Sequence, residues 1–101
     1  MEYPLVKACI DLDAIQHNIQ NLKQVTDENC RFMAVVKADG YGHGAVTVAQ
    51  KALQSGADWL GVARLNEAVE LRENGIEAPI LVFGYIHPSQ AAVIHDLDIV
   101  T

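Results

Sequence analysis

The chain has 101 residues, half of them apolar and a fifth charged, which suits one modest domain burying roughly two thirds of its unfolded surface and excludes disorder as the default. Seven basic against thirteen acidic side chains leave a formal charge of -6, the wrong sign for gripping phosphate backbones or an anionic lipid surface. The longest nearly apolar stretch, residues 79–86, falls far short of the roughly 20 residues that a membrane-crossing helix needs, so neither nucleic acid nor a membrane is an expected partner.

In chain order, residues 6–12 are rich in β-branched and aliphatic side chains and read as a strand, with Asp13 placed to cap the helix after it. Charges at Glu2, Lys7 and Asp11 interrupt this stretch. It therefore lacks the apolar core of a secretory signal, and a cytoplasmic protein is expected. Ile15, Ile19 and Leu22 recur at helical spacing, and the polar run 26–29 suits a loop. Residues 31–36 read as the next strand. Past a glycine-rich turn, Ala45, Val48, Ala49, Ala52 and Leu53 share one helical face, with Gly56 where a left-handed cap is wanted. Residues 59–63 read as strand, Leu65, Ala68, Val69 and Arg72 as a helix closed by Gly75, and residues 79–83 as an apolar strand bounded by proline and Gly84. Pro88 suits the first turn of a helix reaching Ile94, after which residues 98–101 form a last apolar stretch.

Short, nearly continuous apolar strands alternating with helices are the pattern of parallel β/α architecture, whose strands are covered rather than half-solvated. Strand ends at Val36, Val62, Phe83 and Val100 are 26, 21 and 17 residues apart. That spacing is compatible with about four β/α units of an eight-fold barrel of roughly 250 residues. The expected fold class is thus α/β, the amino-terminal part of a (β/α)8 TIM-type barrel. Four parallel strands cannot close on themselves, and open apolar edges are aggregation hazards, so residues 1–101 are expected to be an incomplete piece of something longer.

Cys9 and Cys30 form no C-x-x-C pair and are read as buried free thiols, and His17, His43, His87 and His95 form no i, i+4 metal pair, so no metal site is expected. One segment stands apart: Ala34-Val35-Val36-Lys37-Ala38-Asp39-Gly40-Tyr41-Gly42-His43-Gly44. A lone amine follows a buried strand at the carboxyl end, where parallel β/α folds assemble their sites. A lysine that loses hydration there is a candidate nucleophile for an aldehyde such as that of pyridoxal 5′-phosphate, whose ring serves as an electron sink. The glycines at 40, 42 and 44 would let the backbone bend beside it, and the Tyr41 hydroxyl could reach a phosphate oxygen. The same residues also suit a plain strand-end lysine whose apolar stem packs while its ammonium reaches water.

This run resembles the cofactor-lysine signature of the alanine racemase family of fold-type III pyridoxal-phosphate enzymes, in which the lysine, the tyrosine and the closing Gly-His-Gly recur. Ile10-Asp-Leu-Asp-Ala-Ile15 with Asn18 resembles the family's opening segment, and Gly75-Ile-Glu-Ala-Pro-Ile-Leu-Val-Phe-Gly84 its third barrel strand. The resemblance implies that Lys37 holds pyridoxal 5′-phosphate as a Schiff base and works as acid and base on the D-alanine face. It implies that Tyr41 contacts the cofactor phosphate and that Phe83, where a leucine is usual, packs near the cofactor ring. It implies interconversion of L- and D-alanine, D-alanine for peptidoglycan, and a homodimeric parent whose second base, a tyrosine, comes from a later β domain. Tyr3, Tyr41 and Tyr85 do not match that second motif, so the 101-residue chain alone is expected to be inactive. The turn reads Ala-Asp-Gly-Tyr where Ala-Asn-Ala-Tyr is common, and Asp39 can keep an Asx-type bond to the backbone. A racemase of serine or another small amino acid, and a non-catalytic pyridoxal-phosphate binder, fit the same residues.

Of the remaining polar groups, His43 is read as a structural hydrogen-bonding side chain and Arg64 as a solvated residue at a helix entrance. Glu67, Glu70 and Glu73 are read as a solvated helix face, and the pair Asp11 and Asp13 as capping, with Asp13 the cap.

Overall fold

The computed structural model describes residues 5–101. Helix α1, Leu12–Gln24, opens on Asp11, whose carboxylate Oδ1 accepts hydrogen bonds from the backbone N–H groups of Asp13 at 3.0 Å and Ala14 at 3.1 Å. The cap is therefore Asp11 and not Asp13. The helix starts two residues earlier than a cap at Asp13 would have it, and Asp13 falls in its first turn, where its charge complements the helix dipole. The expected strand at residues 6–12 is absent: Leu12 is helical, and residues 6–11 are exposed and carry no strand. A strand exists through a partner's hydrogen bonds, and among the described residues none lies alongside this stretch.

The sheet is parallel in the order β1 (Met33–Val35), β2 (Trp59–Val62), β3 (Ile80–Val82), with Val35 opposite Gly61 and Val62 opposite Val82. The expected fourth strand is present as one rung: Val100 bridges Leu81 and exchanges hydrogen bonds with its neighbours, Val82 N–H to Val100 O at 2.8 Å and Val100 N–H to Ile80 O at 2.9 Å. Between strands run the short α2 (Lys37–Tyr41), α3 (Ala45–Gln54), α4 (Leu65–Glu73), a 3₁₀ turn at Pro88–Gln90 and α5 (Ala91–Asp96). Where the sequence suggests a single helix, Pro88–Gln90 form a tighter turn that His87 caps, its ring Nδ1 accepting from Ser89 N–H at 3.1 Å.

One face of the sheet carries Val36, Leu60, Val62, Ile80 and Val82 into a buried layer against Ala45 and Ala49 of α3 and Leu65, Ala68 and Leu71 of α4. Each fully buried Leu, Ile or Val contributes about 1.5–3 kcal/mol, and the alanines let α3 approach the sheet closely. The opposite face is barely covered, leaving Val35, Phe83 and Val100 exposed. Cys9 and Cys30 are exposed free thiols, not buried ones. Both lie in segments outside this helix-to-sheet layer, which periodicity did not reveal.

Candidate active site

The site grows from the way β1 ends. Val36 is buried, donates its N–H to Gly61 O at 2.8 Å, and at φ -121°, ψ 26° turns the chain out of the sheet. The next segment, α2 (Lys37–Tyr41), is helical in spacing but left-handed: Ala38 has φ 51°, ψ 50°, Asp39 φ 54°, ψ 46°, Gly40 φ 65°, ψ 38°, and Tyr41 φ 56°. For residues with a Cβ this hand costs roughly 1–2 kcal/mol each, and such strain persists only where neighbours hold it.

Backbone bonds supply part of that hold, with Gly40 N–H to Val36 O at 2.8 Å, Gly42 N–H to Ala38 O at 3.0 Å and Gly44 N–H to Asp39 O at 2.8 Å. Two carboxylates supply the rest. Asp39 Oδ1 accepts from Ala45 N–H at 2.8 Å, tying the turn to the start of α3. Glu67 Oε2 accepts from Ala38 N–H at 2.7 Å. The sequence placed the bend at the three glycines. The bend in fact begins at Ala38.

The Asp39 bond has a direct consequence. Asp39→Asn keeps an acceptor oxygen and is expected to leave stability within a few tenths of a kcal/mol, whereas Asp39→Ala is expected to lose about 1 kcal/mol, as capping residues do. Urea denaturation of the two variants separates these outcomes. Equal losses would show that the carboxylate's charge, rather than its hydrogen bond, matters.

Lys37 is partly buried, and its Nζ lies 5.8 Å from the centroid of the exposed Tyr41 ring. The turn thus brings amine and phenol side by side. Phe83 follows β3, its N–H donating to Val62 O at 2.8 Å. Its ring lies over Gly61: a methyl group built there would fall 2.5 Å from Phe83 Cζ and 2.9 Å from Met33 Sδ. Gly61 pairs with Val35, two residues before Lys37. Phe83 therefore stands at the same end of the sheet, its ring over the strand next to the one that the amine follows.

An open cleft of about 810 Å3 runs along this rim, lined by Lys37, Asp39, Arg64, Asn66 and Glu67 among others. Arg64 is exposed at the entrance of α4, as expected. His43 makes a local contact, Nδ1 to Tyr41 O at 3.1 Å. Glu67 departs from expectation. It is not part of a solvated face: its Oε1 accepts from Ala63 N–H at 3.0 Å and Arg64 N–H at 2.8 Å while Oε2 holds Ala38. The signal was its place three residues after Arg64, where a glutamate reaches back to a helix's first free N–H groups. Nothing local pointed to Ala38.

Pyridoxal 5′-phosphate fits what the turn presents. Its aldehyde and its phosphate arm leave adjacent ring carbons, so holding it calls for an amine and a hydrogen-bond donor near one another, and the Lys37 amine lies 5.8 Å from the centroid of the Tyr41 ring.

The family described as alanine racemase, N-terminal domain, matches residues 10–101. An alanine racemase of Oceanobacillus iheyensis, alanine racemase 2, is 61% identical over 79 residues, covering 78% of this chain and 20% of that protein. Among solved structures, an alanine racemase of Bacillus anthracis with bound L-Ala-P superposes with a TM-score of 0.88 at 44% identity, over 89% of this chain and 23% of that one. A histidine racemase of Leuconostoc mesenteroides superposes at 0.80 with 34% identity, over 87% and 23%. The chain spans about a fifth of the length of the curated relative it matches.

Proposed function

The chain belongs to the alanine racemase N-terminal domain family, and we propose that residues 1–101 form the cofactor-bearing part of the barrel of an alanine racemase. The observation that carries this reading is the left-handed turn at the carboxyl end of β1, which sets the Lys37 amine 5.8 Å from the centroid of the Tyr41 ring. Lys37 Nζ would hold the aldehyde carbon of pyridoxal 5′-phosphate, the Tyr41 hydroxyl would donate to its phosphate, and the Phe83 ring would cover the ring side of the site. Bound there, the cofactor supplies an electron sink that makes the α-hydrogen of an amino acid acidic. Lys37 Nζ takes or returns that proton on the D-alanine face. Inversion needs a second proton-handling group on the opposite face, a role that the family resemblance gives to a tyrosine of another domain and a second subunit.

In this reading the complete enzyme works as a homodimer in the cytoplasm and supplies D-alanine for peptidoglycan. A second reading has an independent observation behind it. The likeness to a histidine racemase fits a segment that holds the cofactor but leaves the choice of amino acid to groups elsewhere, so a racemase of serine or another amino acid shares this site.

The test uses the 101-residue chain. After incubation with pyridoxal 5′-phosphate and borohydride reduction, peptide mapping is expected to find Lys37 labelled above Lys7, Lys23 and Lys51. Equal labelling of the four lysines would overturn the proposal. The same chain is expected to give no measurable racemisation of alanine, since one face of the substrate lacks its proton-handling group.

A further inference from the structure

We infer that Glu67 is a positioning residue for the cofactor-bearing amine: it clamps the peptide group that follows Lys37 and so fixes the direction in which that side chain leaves the backbone. This rests on the reading of Lys37 given above. The three hydrogen bonds of Glu67 are divided between its two oxygens. Oε1 takes the N–H groups of Ala63 at 3.0 Å and Arg64 at 2.8 Å, at the end of β2 and the start of α4. Oε2 takes the N–H of Ala38 at 2.7 Å.

Both bonds of Glu67 to the start of α4 thus use one oxygen. The other is committed to a residue 29 positions earlier in the chain. The Ala38 N–H belongs to the same rigid plane as the Lys37 carbonyl. Holding it sets the ψ angle of Lys37, and with it the bearing of the side chain. Ala38 is also the first residue to enter the left-handed region, at φ 51°, ψ 50°, where a residue with a Cβ does not settle unaided. A short, charge-assisted bond to its N–H at that point holds the turn open toward the Tyr41 ring.

The division between oxygens makes the inference separable from simple helix capping. In Glu67→Gln the carbonyl oxygen can keep both bonds of Oε1, but the amide NH2 then faces the Ala38 N–H, donor against donor. The flipped amide would face two donors instead of one. Glutamine therefore releases Ala38 alone, and Glu67→Ala releases all three.

The experiment measures amide hydrogen exchange by NMR at Ala38, Ala63 and Arg64 in the 101-residue chain and both variants, together with the ratio of Lys37 to Lys7 labelling by pyridoxal 5′-phosphate and borohydride. In Glu67→Gln the Ala38 amide is expected to exchange about tenfold faster, as loss of one bond to a charged group implies, with Ala63 and Arg64 little changed and the labelling ratio several-fold lower. Unchanged exchange at Ala38, or equal acceleration at all three amides, overturns the inference. So does an unchanged labelling ratio in a chain that does favour Lys37, an outcome that leaves the proposed function standing. No preference for Lys37 in the unsubstituted chain overturns the proposed function instead, and the exchange rates alone then uphold or overturn the clamp. Should Glu67→Ala fail to fold, Glu67→Gln carries the test.

Discussion

Racemisation by a chimaera in which residues 10–101 replace the matching segment of the Oceanobacillus iheyensis alanine racemase 2 is expected to fall by about 10³-fold or more when Lys37 becomes arginine. A positioned acid or base contributes about 10²–10⁴-fold to a proton transfer, and Lys37 is assigned a covalent role besides. Arginine is chosen over alanine because it keeps the positive charge and the apolar stem that fills the partly buried position. It also keeps the attraction of a cation for the Tyr41 ring, 5.8 Å from the lysine amine. What it loses is the ability to give up a proton in a protein, and with it both imine formation and proton transfer. A variant that melts like the parent but neither racemises nor takes the cofactor assigns the defect to that chemistry. Retention of a tenth of the activity or more would mean that Lys37 is a structural neighbour of the site and not its reacting group.

Much of this site was legible because its carriers are adjacent in sequence. Lys37 and Tyr41 stand four residues apart on one turn, and a strand followed by glycines announces such a turn. Strands β1 and β2 and helices α3 and α4 were legible for a similar reason, since short apolar runs mark the strands and Ala45, Ala49, Leu65 and Ala68 mark the buried faces of the helices by period. The errors fall where a residue's state is decided by something distant. Residues 6–11 have strand-like composition, but composition does not supply a neighbouring strand. Cys9 and Cys30 were read as buried from residue type, while burial depends on which helix covers them. Asp11 and Asp13 are both chemically suited to capping, and a difference of two residues in where the helix begins selects Asp11.

Glu67 and Arg72 show the same limit in the polar groups. Glu67 looked like one of three glutamates on a wet helix, and its bond to Ala38 crosses 29 residues. Arg72 served only as a marker of helical spacing. Its guanidinium donates to four backbone carbonyls, those of Leu97 at 2.9 Å, Ile76 at 2.9 Å, Ala78 at 2.8 Å and Asp98 at 3.2 Å. No pattern of hydrophobicity encodes a side chain that reads backbone oxygens in two separate loops.

Those four bonds set the second large effect. Arg72→Met is expected to destabilise the chain by about 3 kcal/mol, because hydrogen bonds to a charged group contribute about 1.5–3 kcal/mol each and the part-exposed ones recover water when the partner leaves. Methionine keeps an unbranched apolar stem in place, so the loss reports the hydrogen bonds more than the packing. Arg72→Lys is expected to recover less than half of it. One ammonium at the end of a flexible stem cannot span carbonyls that precede β3 and others that precede the Val100 rung, whereas the planar guanidinium does so with three nitrogens. The loss should appear in urea as a lower midpoint at unchanged slope, since the same surface is exposed on unfolding. Arg72 closes the end of the sheet where β3 and the Val100 rung begin, while Lys37 follows the end where β1 finishes. In β/α barrels the first end serves stability and the second chemistry. Below its midpoint the methionine variant should therefore still label at Lys37 in preference to the other lysines. A drop of less than about 1 kcal/mol would mean that water replaces the guanidinium without cost, and a loss of Lys37 labelling in the folded variant would mean that the two ends of the sheet are not independent.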